Sequence, residues 1–120
     1  MGANMAQAAL AETGFIHRLG FLSGGRTGSL EMLVLCDELA SMANGFAGGI
    51  EIDDEALAFD TVKRCAADNG FISDEHTIKR YQTQNWLPGL FDRSDVGLWQ
   101  EDGGRNMDEK VKDRLSGLLA

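Results

Sequence analysis

FLSGGRTGSLEMLVLCDEL, Phe21 to Leu39, moves from an apolar run through a Gly-rich turn into a stretch with helical spacing. Two ligand-binding readings of that turn fail. A phosphate-binding P-loop needs four residues between its glycines and then Gly-Lys-Ser/Thr, whereas Gly24 and Gly28 are too close and no lysine follows. The dinucleotide pattern GxGxxG is absent as well. The turn is therefore read first as one whose glycines supply positive φ, with Ser29 capping the next helix. Upstream, Phe15 to Leu22 is a mostly apolar run of strand length, expected to be a strand buried on both faces. Downstream from Leu30, the residues Met32, Leu35, Cys36, Leu39, Met42, Ala43 and Phe46 form the stripe of a core-facing helix that ends at Gly48 and Gly49.

A strand, a loop and then a helix is the unit of a parallel sheet, and one such strand cannot satisfy its own backbone. The remaining elements supply no partner. Ala3 to Glu12 reads as a short helix stopped by Gly14. Asp53 should cap a helix over 54–68, with Ile52 and Leu57 as a hydrophobic staple, Leu57, Val62, Cys65 and Ala66 as its buried side, and Asn69-Gly70 as its left-handed stop. A further helix should start from Ser73 and bury Ile78 and Tyr81, after which Gln84 to Arg93 is irregular. Asn106 with Glu109 signals a capping box for a last helix that buries Val111, Leu115, Leu118 and Leu119. The expected fold class is mostly α with one buried strand, resembling the end of something larger.

Composition narrows the function. With 120 residues, 43% of them apolar, the chain can bury one core. Eleven basic against nineteen acidic residues leave a net charge of -8 with the cations scattered, which argues against nucleic acid and anionic membranes as partners. Cys36 and Cys65 lie inside helices without a CxxC or His/Cys cluster, so reduced structural thiols and a cytoplasmic location are expected. The amino terminus lacks a signal-peptide pattern, and no apolar run reaches membrane-spanning length.

No catalytic constellation is visible. DRSDVGLWQEDG, from Asp92, fails as a calcium loop because Val96 and Gly103 stand where oxygen ligands are required. His17 and His76 have no carboxylate or thiol at metal-ligand spacing, so no metal site is expected. His76 is a surface or capping histidine. In a strand, His17 would share a face with Phe15, Leu19 and Phe21 while Arg18 shares the other with Ile16, Gly20 and Leu22, and a neighbouring strand is the simplest partner for the histidine, ahead of substrate contact. Trp86, Leu87, Leu90, Phe91 and Trp99 are read as anchors of an irregular segment, and no GxSxG elbow exists.

Taken in order, GFIHRLGFLSGGRTGSLEMLVLCDELASM, GGIEIDDEALAFDTV, GFISDEHTIKRYQTQNWLPGLFDR and the closing WQEDGG resemble the carboxy-terminal part of the trimethylamine methyltransferase family. The resemblance implies a TIM (β/α)8 barrel several times longer than this chain, moving a methyl group from a methylated amine to a corrinoid protein, with methanogenesis as one setting. It makes residues 1–48 the terminal βα unit of the barrel and 49–120 a helical carboxy-terminal extension. Ser23 to Ser29 then becomes a βα loop at the carboxyl end of a strand, the face that carries TIM-barrel active sites.

The same resemblance implies His17, Ser23, Gly24 and Arg26 as substrate-binding residues, with catalytic residues unassigned. No cofactor is expected on this chain, since the corrinoid (cobalamin) is carried by the partner protein. The substrate is left open between trimethylamine, whose enzymes carry pyrrolysine at a position upstream of everything matched here, and a quaternary amine such as glycine betaine. The isolated chain is expected to be inactive, and a homo-oligomer is left open. The competing reading is a free-standing helical interaction module without catalytic activity.

Overall fold

The computed structural model describes residues 2–13 and 16–120, and two compact units divide the chain: Met1–Ala47 with Pro88–Ala120, and Gly48–Leu87. The first unit holds α1 (Gly2–Leu10), a two-stranded antiparallel hairpin of β1 (Phe21–Leu22) and β2 (Thr27–Gly28), and α2 (Leu30–Ala47). The second holds α3 (Asp54–Leu57), α4 (Phe59–Cys65) and α5 (Glu75–Gln84). The chain then returns to the first unit as α6 (Val96–Glu101) and α7 (Met107–Leu119). The described chain is mostly helical with one small sheet.

In the first unit α1 and α7 both pack on α2. The core is Met5, Cys36 and Ala43, flanked by Ala9, Leu19, Met32, Leu39 and Ala40, so the centre of the expected α2 stripe is the part that is buried. Phe46, at its end, is exposed. Leu90 and Val111 are buried apart from that cluster. Asn106 closes the expected capping box at α7: its side chain accepts from the Glu109 N–H at 3.0 Å while the Glu109 carboxylate accepts from the Asn106 N–H at 2.8 Å. Val111 faces inward and Leu115 is half-buried, but Leu118 and Leu119 are exposed.

The buried strand is not formed. Phe15 lies outside the described residues, Ile16 to Arg18 have no regular structure, and only Phe21 and Leu22 are extended and paired, both exposed. Arg18 at φ 67° and Gly20 at φ 75° turn the chain in the left-handed region, which an extended strand cannot contain. A strand buried on both faces needs neighbours at both edges, and among the described residues the only strand available is β2. The chain curls and pairs locally instead.

In the second unit the Asp53 cap is present, its carboxylate accepting from the Ala56 N–H at 2.7 Å. The helix expected over 54–68 is nevertheless broken, because Ala58 adopts a left-handed conformation at φ 50° and ends α3 before α4 begins. The break rotates the buried face: Thr61 and Cys65 are inside, while Leu57, Val62 and Ala66 are exposed. Asn69 takes the expected left-handed conformation at φ 58°, but α4 has already ended at Cys65 with the right-handed Ala66 as its C-cap, so the helix stops short of it. Asp74, one residue beyond Ser73, caps α5 by accepting from the His76 N–H at 3.0 Å, and Ile78 and Tyr81 are exposed rather than buried. Helix α6 was not expected; Asp95 caps it, accepting from the Gly97 and Leu98 N–H groups.

Candidate functional site

The Gly-rich hairpin is seated on the first turn of α2 by a short set of contacts. The Ser29 N–H donates to the Gly20 carbonyl at 2.8 Å, closing the loop at its base. The Ser29 hydroxyl accepts from the Met32 N–H at 3.0 Å and donates to the Glu31 carboxylate at 2.9 Å, so it is the expected helix cap. The main-chain N–H of Glu31 and then this hydroxyl hold the Glu31 carboxyl below the usual carboxylate range, and its charge complements the positive end of the α2 dipole. Gly20 admits no other residue without movement: a Cβ there would lie 3.0 Å from the Leu33 Cβ and 3.3 Å from the Ser29 carbonyl oxygen.

On this base the loop carries three of the four expected site residues. Ser23 and Gly24 lie in a 3-10 turn over Ser23–Gly25, both with positive φ, and Arg26 follows in a right-handed conformation. All three are exposed, as is His17 in the irregular segment just upstream of the hairpin. The turn glycines do supply positive φ, at 68° for Gly24 and 94° for Gly25, and a Cβ at either would meet open space. The loop thus offers a guanidinium, hydroxyls and uncrowded backbone, a set that can bind and orient a polar ligand.

Behind the loop lies a feature that the sequence reading missed, an apolar groove of about 440 Å³ within the first unit. Leu19, Leu33, Val34, Leu90 and Leu115 are among its walls, and Asp37 and Arg114 also line it. Among the described residues neither Asp37 nor Arg114 has an ion-pair partner. The signal was present: Leu30, Leu33, Val34 and Asp37 recur at three- and four-residue steps, a second stripe beside the one through Cys36. Leu19 joins groove to loop, since it lines the groove and immediately precedes Gly20.

The second unit holds a polar cluster of a different kind. Asp74 Oδ2 accepts from Arg64 Nη2 at 2.6 Å and Nε at 3.1 Å and from the Cys65 thiol at 3.4 Å. The Arg64 bonds first, and then the His76 N–H, hold the Asp74 carboxyl low, while burial and then the bond to Asp74 push the Cys65 thiol up, away from a nucleophilic thiolate. His76 Nε2 donates to the Glu55 carbonyl at 2.8 Å. Arg80, ahead of Lys79, holds the Glu55 carboxyl low. Every member caps a helix or ties α3 and α4 to α5, which makes the cluster structural, and His76 is a tie between elements rather than a free surface histidine. Among the described residues no group of three His, Cys, Asp or Glu could hold a metal ion, and no helix is long and apolar enough to cross a membrane.

Comparison with known proteins covers loop, groove and polar cluster together. Residues 2–120 match the family model for trimethylamine methyltransferase. The chain is 31% identical over 111 residues to a trimethylamine methyltransferase of Desulfitobacterium hafniense, covering 92% of this chain and 22% of the relative. It is 28% identical over 87 residues to a glycine betaine methyltransferase of the same species, covering 72% and 18%. It is 31% identical over 111 residues to a trimethylamine methyltransferase of Methanosarcina barkeri, covering 89% and 22%. The chain therefore spans about a fifth of the length of the curated relatives it matches. With its full described length inside the match, the chain belongs to the trimethylamine methyltransferase family.

Proposed function

We propose that this chain is the carboxy-terminal part of a methyltransferase that moves a methyl group from a methylated amine to a corrinoid protein. The observation that carries the reading is the family match over residues 2–120, with relatives whose names specify trimethylamine and glycine betaine. On this reading residues 1–48 are the terminal βα unit of a TIM barrel and 49–120 its helical extension, with Ser23 to Ser29 a βα loop opening toward the amine. On this reading the expected strand over Phe15 to Leu22 needs neighbouring barrel strands to pair with; among the described residues only Phe21 and Leu22 pair, with β2.

The chemistry asks little of this segment. The corrinoid, carried by the partner, supplies the methyl acceptor. The methyltransferase's share is to bind and orient the amine, and His17, Ser23, Gly24 and Arg26 are the residues of this chain assigned to that task. Arg26 discriminates between substrate types: a guanidinium repels a methylammonium but can hold the carboxylate of a betaine. The test is methyl transfer to the corrinoid protein by the enzyme that contains this region, with trimethylamine and glycine betaine offered separately. Transfer from either amine supports the reading, and transfer from neither overturns it.

One observation favours the alternative, a free-standing helical module. The first unit has its own core around Met5 and Cys36, and among the described residues no buried side-chain polar atom lacks a partner. A monodisperse 120-residue chain with a sharp two-state melt would support that module. Aggregation or a broad transition would support the barrel segment, whose exposed Leu10, Leu30, Phe46 and Leu118 then await cover.

A further inference from the structure

Between α5 and α6 the chain runs from Pro88 to Asp95 without helix or strand, and the N–H groups of Gly89, Leu90, Phe91 and Ser94 donate to side chains. A single oxygen dominates. Glu38 Oε1, on α2, accepts from the N–H groups of Gly89 at 2.7 Å, Leu90 at 2.8 Å and Phe91 at 3.4 Å. Further along, Asp92 pairs with Lys110 of α7 at 2.6 Å and accepts from the Ser94 N–H at 3.0 Å. The strap so held places Leu90 in the wall of the apolar groove, where it is buried.

Three consecutive N–H groups converging on one oxygen are the arrangement by which a backbone binds an anion. The donors here have one acceptor in common, so they gain or lose it together. We propose that the main chain of Gly89 to Phe91 is a carboxylate-binding site whose resident ligand is Glu38, and that this contact is the latch that holds the strap and its Leu90 over the groove. The ligand class follows from the donors: a small planar carboxylate presents one oxygen to all three N–H groups as the glutamate does. The inference stands on contacts within this chain and is independent of which amine, if any, the enzyme uses.

Chemical rescue separates a latch from a generally stabilising residue. Amide hydrogen exchange is measured residue by residue on the 120-residue chain and on its Glu38→Ala and Glu38→Gln variants, with and without added acetate. In Glu38→Ala, exchange at Gly89, Leu90 and Phe91 should rise by about tenfold or more, the equivalent of losing a charge-assisted hydrogen bond, while the amides of α1 and the middle of α2 keep their protection. Acetate should restore protection at those three amides and nowhere else. Glu38→Gln keeps an acceptor oxygen of the same reach and guards against a variant that fails to fold; its exchange at the same amides should rise by a smaller factor. Wild-type protection in either variant, loosening spread over the whole first unit, or no response to acetate would each overturn the proposal.

Discussion

Arg64 grips Asp74 through two nitrogens on one oxygen, Nη2 at 2.6 Å and Nε at 3.1 Å from Oδ2, and thereby fastens α4 to the cap of α5. The same carboxylate accepts the Cys65 thiol and the His76 N–H, so one side chain caps a helix, satisfies a buried thiol and closes an ion pair.

The pH dependence of the second unit follows. The Arg64 bonds hold the folded Asp74 value below the ordinary one, which is about 3.9 in an unfolded chain. A depressed carboxyl stabilises the fold fully above the unfolded value, and that stabilisation is lost as pH falls through the folded value. Thermal melts taken from about pH 5 downward should show the midpoint falling more steeply in the parent chain than in Asp74→Asn, which has no carboxyl to titrate. Parallel curves would remove Asp74 from the acid response.

Gly20 is the position where the hairpin tolerates least change. Gly20→Ala combines a φ of 75° with a methyl group 3.0 Å from the Leu33 Cβ, and should cost about 1–3 kcal/mol in denaturant unfolding. A neutral substitution would show that the loop base is not held as described. Gly24→Ala, with the same sign of φ but open space around it, should cost less.

Asp53→Ala tests the start of α3. Loss of the 2.7 Å bond to the Ala56 N–H should cost about 1 kcal/mol and raise exchange at that amide. An unchanged Ala56 amide would disprove the cap.

Those caps were legible because capping is local. Asp53, Ser29 and the Asn106–Glu109 box each involve partners within three residues, and all three form as their spacing dictates. The helix Leu30–Ala47 was legible for the same reason, since period and cap agree. Strand formation over Phe15 to Leu22 depends on distant partners, and an apolar run says nothing about whether they are present. The kink at Ala58 has no glycine or proline to announce it, and it turned Leu57 and Val62 outward. Helix α6 was missed because the stretch from Asp92 was weighed only as a calcium loop, so Asp95 was not considered as a helix cap. At the candidate site, Ser23, Gly24 and Arg26 were found on one turn, but the groove was overlooked once α2 had been granted a single apolar face.

Both thiols should be slow to alkylate in the folded chain. Cys36 is fully buried and Cys65 nearly so, with burial and Asp74 both disfavouring its thiolate. Iodoacetamide labelling read by mass spectrometry should find both cysteines protected under native conditions and both reactive in denaturant. Rapid native labelling of Cys65 would contradict its place in the polar cluster.

The most direct test of the central claim, that the loop on α2 belongs to an amine-binding site, is steady-state methyl transfer after Arg26→Ala and His17→Ala, made separately in the enzyme that contains this region and assayed with the proposed corrinoid protein as methyl acceptor. With glycine betaine as substrate, Arg26→Ala should chiefly raise KM, by about tenfold or more for the loss of a charge-assisted bond to the carboxylate. His17→Ala should lower kcat/KM as well if its side chain touches the amine. Unchanged KM and kcat in both variants would contradict the account and leave loop and hairpin as scaffold.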